Sequence, residues 1–559
     1  MSSRVVDRRI RLLFVALALA LAGTLARAVW LQGVQARPLS QLAATQQRQT
    51  VEIPARRGTI FDRNGVPLAV GEQATTAFAD PTLIKEPGAV AAAAERTLGV
   101  DGEKLYPQLR DRSRAFVYLK RKADADEASA LAARKLAGVG FYAEERRSYP
   151  QGSVAAQVLG FAGADNVGLA GLELTLDREL RGRAGRETVI RDPLGRVVDV
   201  LGETEQRRGR DVFLTLDHRI QAHAEDVLRR TVKQWGAKAA TAIVMDPRSG
   251  EILAMANAPS FDANRFGEVK AGLQRNRAVS DTYEPGSTFK LIPVAGVLSE
   301  GLVSPRTTFT LAPTIDVADR TIREHDPRGT ETMSVARILS QSSNIGAVTL
   351  AQQLGRERLA SWIERFGFGR RTGIEFPGET RGIVLPPEKW SGSTIGNVPI
   401  GQGIAVTPLQ MAAAYAAIAN DGVWTRPRVV GHVAGRSRGR TEQRRVVSRV
   451  VAAQLSAMLT GVVSEGTGRL AAIQGYRVAG KTGTAAKPLP DGSGYSTYNY
   501  VASFVGFVPA SRPELVIAVA VDEPRSAIWG GTVAAPAFNE IARFGLQYLE
   551  VPPDAPVGG

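Results

Sequence analysis

Three short strings each occur once and in this order: Ser287-Thr288-Phe289-Lys290, Ser342-Ser343-Asn344 and Lys481-Thr482-Gly483. A serine hydroxyl is a weak nucleophile until a neighbouring base takes its proton. Lysine serves as that base only when neutral, which needs desolvation or a nearby positive charge. On a helix, Lys290 projects from the same face as Ser287, and Lys481 supplies a second cation. A serine at a helix start also stands beside unpaired backbone N–H groups and the positive end of the helix dipole. Ser342 offers a proton-shuttling hydroxyl. Asn344 offers an amide that can accept from a lysine while donating to a substrate carbonyl. Lys481-Thr482-Gly483-Thr484 reads as an exposed strand edge that holds an extended peptide by β-addition and its carboxylate by charge and hydroxyls. Together these are the parts of a serine acyl-transferase that needs no histidine or metal.

Each string alone has a plainer explanation. Ser287 could be a helix cap with Lys290 solvated, Ser342–Asn344 an ordinary loop, and Lys481–Gly483 a glycine-rich turn. Joint occurrence favours chemistry. With four histidines and no cysteine, disulfides, thiolate catalysis and zinc–cysteine sites are excluded. Neither a metal nor a cofactor is expected.

The elements around the strings imply an α/β layer, a mostly antiparallel sheet covered by helices. Asp211–Asp217 is an alternating strand leading into a helix through about Trp235. Thr241–Met245 and Ile252–Ala256 flank Asp246-Pro-Arg-Ser-Gly250 as a hairpin. Ser287 opens an apolar-periodic helix to about Leu298. Helices are expected over Ser334–Leu354, Pro408–Asn420, Val446–Ser464 and Ala534–Leu549, and strands over Tyr500–Val508 and Leu515–Val521. Upstream, Arg56–Gly65 is a strand closed by an Asn-Gly turn, and Ala91–Leu98 and Ala123–Ala137 are alanine-rich helices. Gln32–Gln49 reads as a helical stalk. The resulting division is 1–11 cytoplasmic tail, 12–31 membrane anchor, 32–210 stalk and non-catalytic pedestal, 211–551 catalytic domain and 552–559 tail.

Leu12–Leu31 is apolar apart from Gly23, Thr24 and Arg27. About twenty helical residues span about 30 Å, one hydrocarbon thickness. Arg4, Arg8, Arg9 and Arg11 precede it, so the N-terminus stays cytoplasmic and the rest is exported. A cleaved signal peptide is the rival, with Ala26-Arg27-Ala28 as its cleavage site; Val29-Trp30-Leu31 argues for an uncleaved anchor. The formal charge is +15, yet only 12 of 70 basic residues are lysine and the arginines are scattered. That pattern argues against nucleic-acid binding and for an anionic membrane or wall polymer.

The chain resembles the penicillin-binding proteins, specifically the class B high-molecular-weight group. Besides the three strings, the resemblance rests on Arg57–Gly65, Gly168–Gly185, Gly401-Gln402-Gly403 through Gln410, and Trp529-Gly530-Gly531. No glycosyltransferase domain is expected. The resemblance implies a D,D-transpeptidase that cross-links peptidoglycan stem peptides. Ser287 would attack the D-Ala-D-Ala donor and Lys290 would be the base. Ser342 and Asn344 would assist, and Lys481, Thr482, Gly483 and Thr484 would bind the terminal carboxylate. Backbone N–H groups of Ser287 and Thr484 would form the oxyanion hole. An amine of a neighbouring stem would accept the acyl group, and β-lactams would trap Ser287. The segment from Lys481 through Trp529-Gly530-Gly531 resembles the division-specific branch, which implies a lipid-II polymerase and divisome proteins as partners. The alternatives are the elongation-specific branch, a carboxypeptidase or a β-lactam sensor with the same acylation chemistry.

Overall fold

The computed structural model describes residues 3–34, 48–191, 197–437 and 439–556. Helix α1 (Ser3–Val29) is continued by a π-helical turn, Trp30–Val34. Residues Arg8–Gly33 form the one described helix long and apolar enough to cross a membrane. Most of the expected stalk, Gln32–Gln49, lies outside the described residues. Its last two residues begin a strand, Arg48–Ile53, which joins Gly185–Arg191 and Val197–Thr204 in a three-stranded antiparallel sheet.

A second unit comprises residues 57–181 and 210–559. Its first part is a mixed sheet in which Pro67–Ala79 pairs with Ile60–Phe61, Val117–Ala123 and Val139–Ser148. The Asn-Gly turn falls where expected: Gly65 takes φ +82 between Ile60–Phe61 and Pro67. Helices Pro87–Leu98 and Ala125–Ala132 stand at the two alanine-rich stretches, the second shorter than Ala123–Ala137. Glu173 is fully buried between two arginines, which explains the Arg57 and Gly168–Gly185 blocks. Arg57 Nε donates to Glu173 Oε2 at 2.7 Å, and Arg147 Nε to Oε1 at 2.6 Å.

The rest is built on a five-stranded antiparallel sheet. Its strands are β1 (Ala239–Met245), β2 (Ile252–Ala258), β3 (Ala479–Pro488), β4 (Tyr495–Val508) and β5 (Leu515–Asp522), in the order β2-β1-β5-β4-β3. Every residue of β1 and β2 is buried, as a sheet covered on both faces requires. Helices α2 (His218–Trp235) and α6 (Gly530–Tyr548) share one core with Ala242, Phe504 and Val519. The opposite face, with Ile243, Val505 and Ala518, joins a larger core with α3 (Leu291–Ser299), α4 (Asn344–Leu354) and α5 (Pro408–Ala419). Each large apolar side chain buried there contributes about 1.5–3 kcal/mol.

Two expected helices are corrected. The nucleophile segment starts as a 3-10 turn, Gly286–Lys290, before α3. Ser334–Leu354 is two helices, Val335–Ser340 and α4, broken at Gln341–Ser343. Ser and Asn side chains compete with the backbone ladder there. Ser343 caps α4, its Oγ accepting from Gly346 N at 2.9 Å, while Ser342 takes φ +59.

Candidate active site

β3 is the edge strand, and the turn carrying Ser287 packs against its face, where a Cβ on Gly483 would meet Pro285 O at 2.8 Å. Gly286 takes φ +55, and a Cβ there would stand 2.9 Å from the Thr484 carbonyl oxygen. On its other side Gly401 closes the turn, donated to through Gly286 N–H at 3.1 Å; a Cβ on Gly401 would fall 2.1 Å from Gly286 O. Buried Tyr415 of α5 donates to Thr288 O at 2.8 Å. Behind β3, Gly530 N–H donates to Thr484 Oγ1 at 3.1 Å, and Thr482 and Thr467 hydroxyls meet at 2.7 Å. A Cβ on Gly530 would lie 2.3 Å from Gly483 O. The glycine blocks thus pack the nucleophile turn and β3 at backbone contact.

Two lysines meet inside this frame. Lys290 and Lys481 are 1% and 0% exposed. Lys290 Nζ donates to Ser342 O, to Asn344 Oδ1 at 2.7 Å and to Ser342 Oγ at 3.3 Å. Lys481 Nζ donates to Ser342 Oγ at 2.9 Å and Thr482 O at 3.2 Å. The turn between Val335–Ser340 and α4 therefore faces both cations. Ser287 is partly exposed, and among the described residues its hydroxyl makes no hydrogen bond.

Burial pushes the Lys290 ammonium down to about 7, with Arg328 acting in the same direction and Glu324 opposing. Lys481 is lowered well below its ordinary value by burial, and then by the charge of Lys290. Burial, more than a second cation, thus accounts for a neutral Lys290. Asn344 differs in part from the sequence expectation, because its Nδ2 donates to Arg323 O at 3.0 Å.

Glu324 escaped the sequence reading. Its carboxylate accepts from Ser343 Oγ, from Asn344 N at 2.8 Å and from Ile345 N at 3.4 Å. It thereby holds the N-terminus of α4, where a negative charge complements the dipole. A single glutamate after a short strand carries no spacing signal; only its sequence neighbours His325 and Asp326 mark the place.

Comparison with known proteins places this architecture. Residues 240–543 match the penicillin binding protein transpeptidase domain, and residues 52–214 the penicillin-binding protein dimerisation domain. The chain belongs to this family: it is a class B penicillin-binding protein, a transpeptidase of the serine-acyltransferase type. It is 34% identical over 558 residues to the probable peptidoglycan D,D-transpeptidase PenA of Neisseria meningitidis, covering 98% of this chain and 94% of that protein. It is 32% identical over 563 residues to the peptidoglycan D,D-transpeptidase FtsI of Escherichia coli, with 98% and 93% covered. Among solved structures, penicillin binding protein 3 of Mycobacterium tuberculosis in complex with aztreonam superposes with a TM-score of 0.72 at 31% identity, covering 91% of this chain and 99% of that one.

Proposed function

We propose that this transpeptidase is a peptidoglycan D,D-transpeptidase that works through an ester on Ser287. The observation that carries the reading is the burial of two lysines against one hydroxyl, Ser342 Oγ, behind the turn that presents Ser287. A neutral Lys290 relinquishes one of its hydrogen bonds and turns its lone pair to Ser287 Oγ. That oxygen attacks the carbonyl between two D-alanines, and its proton passes to Lys290. Backbone N–H groups of Ser287 and Thr484 receive the oxyanion. Lys481, Thr482, Gly483 and Thr484 hold the terminal carboxylate. As the C–N bond breaks, the proton travels through Ser342 to the departing D-alanine amine. An amine on a neighbouring stem then attacks the ester, and its proton returns by the same route to Ser287 Oγ. Asn344 holds Lys290 in register throughout. β-Lactams stop the cycle at the ester.

We assign residues 32–210 to the stalk and pedestal and 211–551 to the catalytic domain. The apolar helix α1 anchors the chain with its N-terminus in the cytoplasm and the active site outside. Resemblance of the Lys481-to-Gly531 segment to the division-specific branch supports a septal role, with a lipid-II polymerase and divisome proteins as partners. Fluorescent penicillin tests the chemistry: labelling of the wild type and none of Ser287→Ala is expected, and persistent labelling of the variant removes the nucleophile. Cross-linked product only when an amine acceptor is supplied separates transfer from hydrolysis. Depletion tests the role: filamentous cells mark division, rounded cells elongation.

A further inference from the structure

Lys290 is bonded to the turn at Ser342 and Asn344, and that turn is itself held by one loop. The loop joins the strands Arg320–Arg323 and Glu331–Ser334. At its start Arg323 O accepts from Asn344 Nδ2 at 3.0 Å, and the Glu324 carboxylate accepts from Ser343 Oγ, Asn344 N and Ile345 N. Four residues on, Arg328 Nη2 donates to Gln341 O at 3.3 Å. The chain is thus gripped just before and just after Ser342, whose carbonyl and hydroxyl both accept from Lys290. Between the two grips, His325 packs edge-on against Trp529 with ring centroids 4.2 Å apart, and Asp326 meets His325 at 3.1 Å.

The grips carry opposite charges. Glu324 and Arg328 are both partly buried, and neither forms an ion pair among the described residues. Their fields therefore reach Lys290: the acid favours its ammonium form and the guanidinium disfavours it, while burial remains the larger effect. The other charge facing Lys290 is Lys481 of β3. A helix cap alone does not account for Glu324, because Ser343 Oγ already caps α4 by accepting from Gly346 N.

We propose that Glu324 and Arg328 are positioning residues of the acylation step, an oppositely charged pair that holds the turn around Ser342 against Lys290 and balances the field in which that lysine takes the proton of Ser287. Their role rests on Lys290 acting as the base, the reading given above. Neither residue transfers a proton itself. Without the acid, Lys290 gives up its proton more readily; without the guanidinium, less readily.

The test is the pH dependence of Ser287 acylation by fluorescent penicillin, followed in the full-length protein in detergent. The wild type is expected to reach half its maximal rate constant near pH 7. Glu324→Gln should move that midpoint down and Arg328→Gln should move it up, each by about 0.5 pH unit or more. The plateau rate of Glu324→Gln should also fall by about tenfold, as the turn loses its hold on the base. Glu324→Asp, which keeps the charge, should restore much of the plateau and leave the midpoint near that of the wild type. A merely structural cap would lower the rate without moving the midpoint, so an unmoved midpoint in either charge-removing variant overturns the proposal. A wild-type plateau in Glu324→Gln overturns it too. Thermal unfolding shows whether Glu324→Gln folds; if it does not, the midpoint of Arg328→Gln, which gives up one hydrogen bond, decides alone. A wild-type profile without a midpoint, while penicillin still labels Ser287, overturns Lys290 as the base and the role of this pair with it.

Discussion

Lys290 and Lys481 share one acceptor: Ser342 Oγ lies 3.3 Å from the first ammonium nitrogen and 2.9 Å from the second. Both are buried and both are held below the ordinary lysine range by that burial, Lys481 also by the charge of Lys290. The base form of Lys290 then forms near neutrality instead of near pH 10.5. The rate constant for Ser287 acylation by penicillin should rise with pH, reach half its maximum near pH 7 and level off above. Stopped-flow acylation between pH 5 and pH 9 checks it; a flat profile would remove Lys290 as base.

The same lysine makes stability depend on pH. Between about pH 7 and pH 10.5 the unfolded chain binds a proton at Lys290 that the native state does not. Stability is therefore lost as pH falls through that window, at about 1.4 kcal/mol per pH unit for one such group. Thermal unfolding of the wild type should shift upward from pH 7 to pH 9. Lys290→Met should flatten that rise.

Ser342→Ala removes the one hydroxyl that both lysines contact. Acylation by penicillin should fall by about 100-fold, the scale of a lost proton-transfer group, while thermal stability changes little. Stopped-flow acylation beside differential scanning calorimetry separates the two effects.

At the back of the nucleophile turn, Gly401 takes φ +78 and has no room for a side chain. Gly401→Ala should slow penicillin acylation by at least about tenfold, because the turn carrying Ser287 must move. Wild-type labelling rates in this variant would show that the contact does not position the nucleophile.

Far from the cleft, Glu173 neutralises Arg57 and Arg147 in a fully buried cluster. Glu173→Ala leaves the buried Arg147 without its carboxylate and Arg57 with Asp177 alone, at 2.7 Å, which should cost about 3–5 kcal/mol of stability. Urea unfolding measures this directly.

How much of this could be read beforehand depends on whether a feature has a period or a spacing. Strands β1 and β2 announce themselves as apolar runs around Asp246–Gly250, and Ser287 with Lys290 as a helical pair. The break at Ser342 is harder to see, since Ser-Ser-Asn fits a loop and a helix start alike. Glu324 left no trace, and Glu173 is marked only as part of the Gly168–Gly185 block, without a role. Each is a single carboxylate whose partners, Asn344 in one case and Arg57 in the other, come from distant segments.

The free rim of β3 has one further consequence. A guest strand pairs with that rim through its own main chain, in extended form. A guest must present a bare, stretched terminus to enter, and a compact exported protein keeps its own ends too encumbered to do so. The enzyme thus spares its neighbours by shape before any chemistry begins.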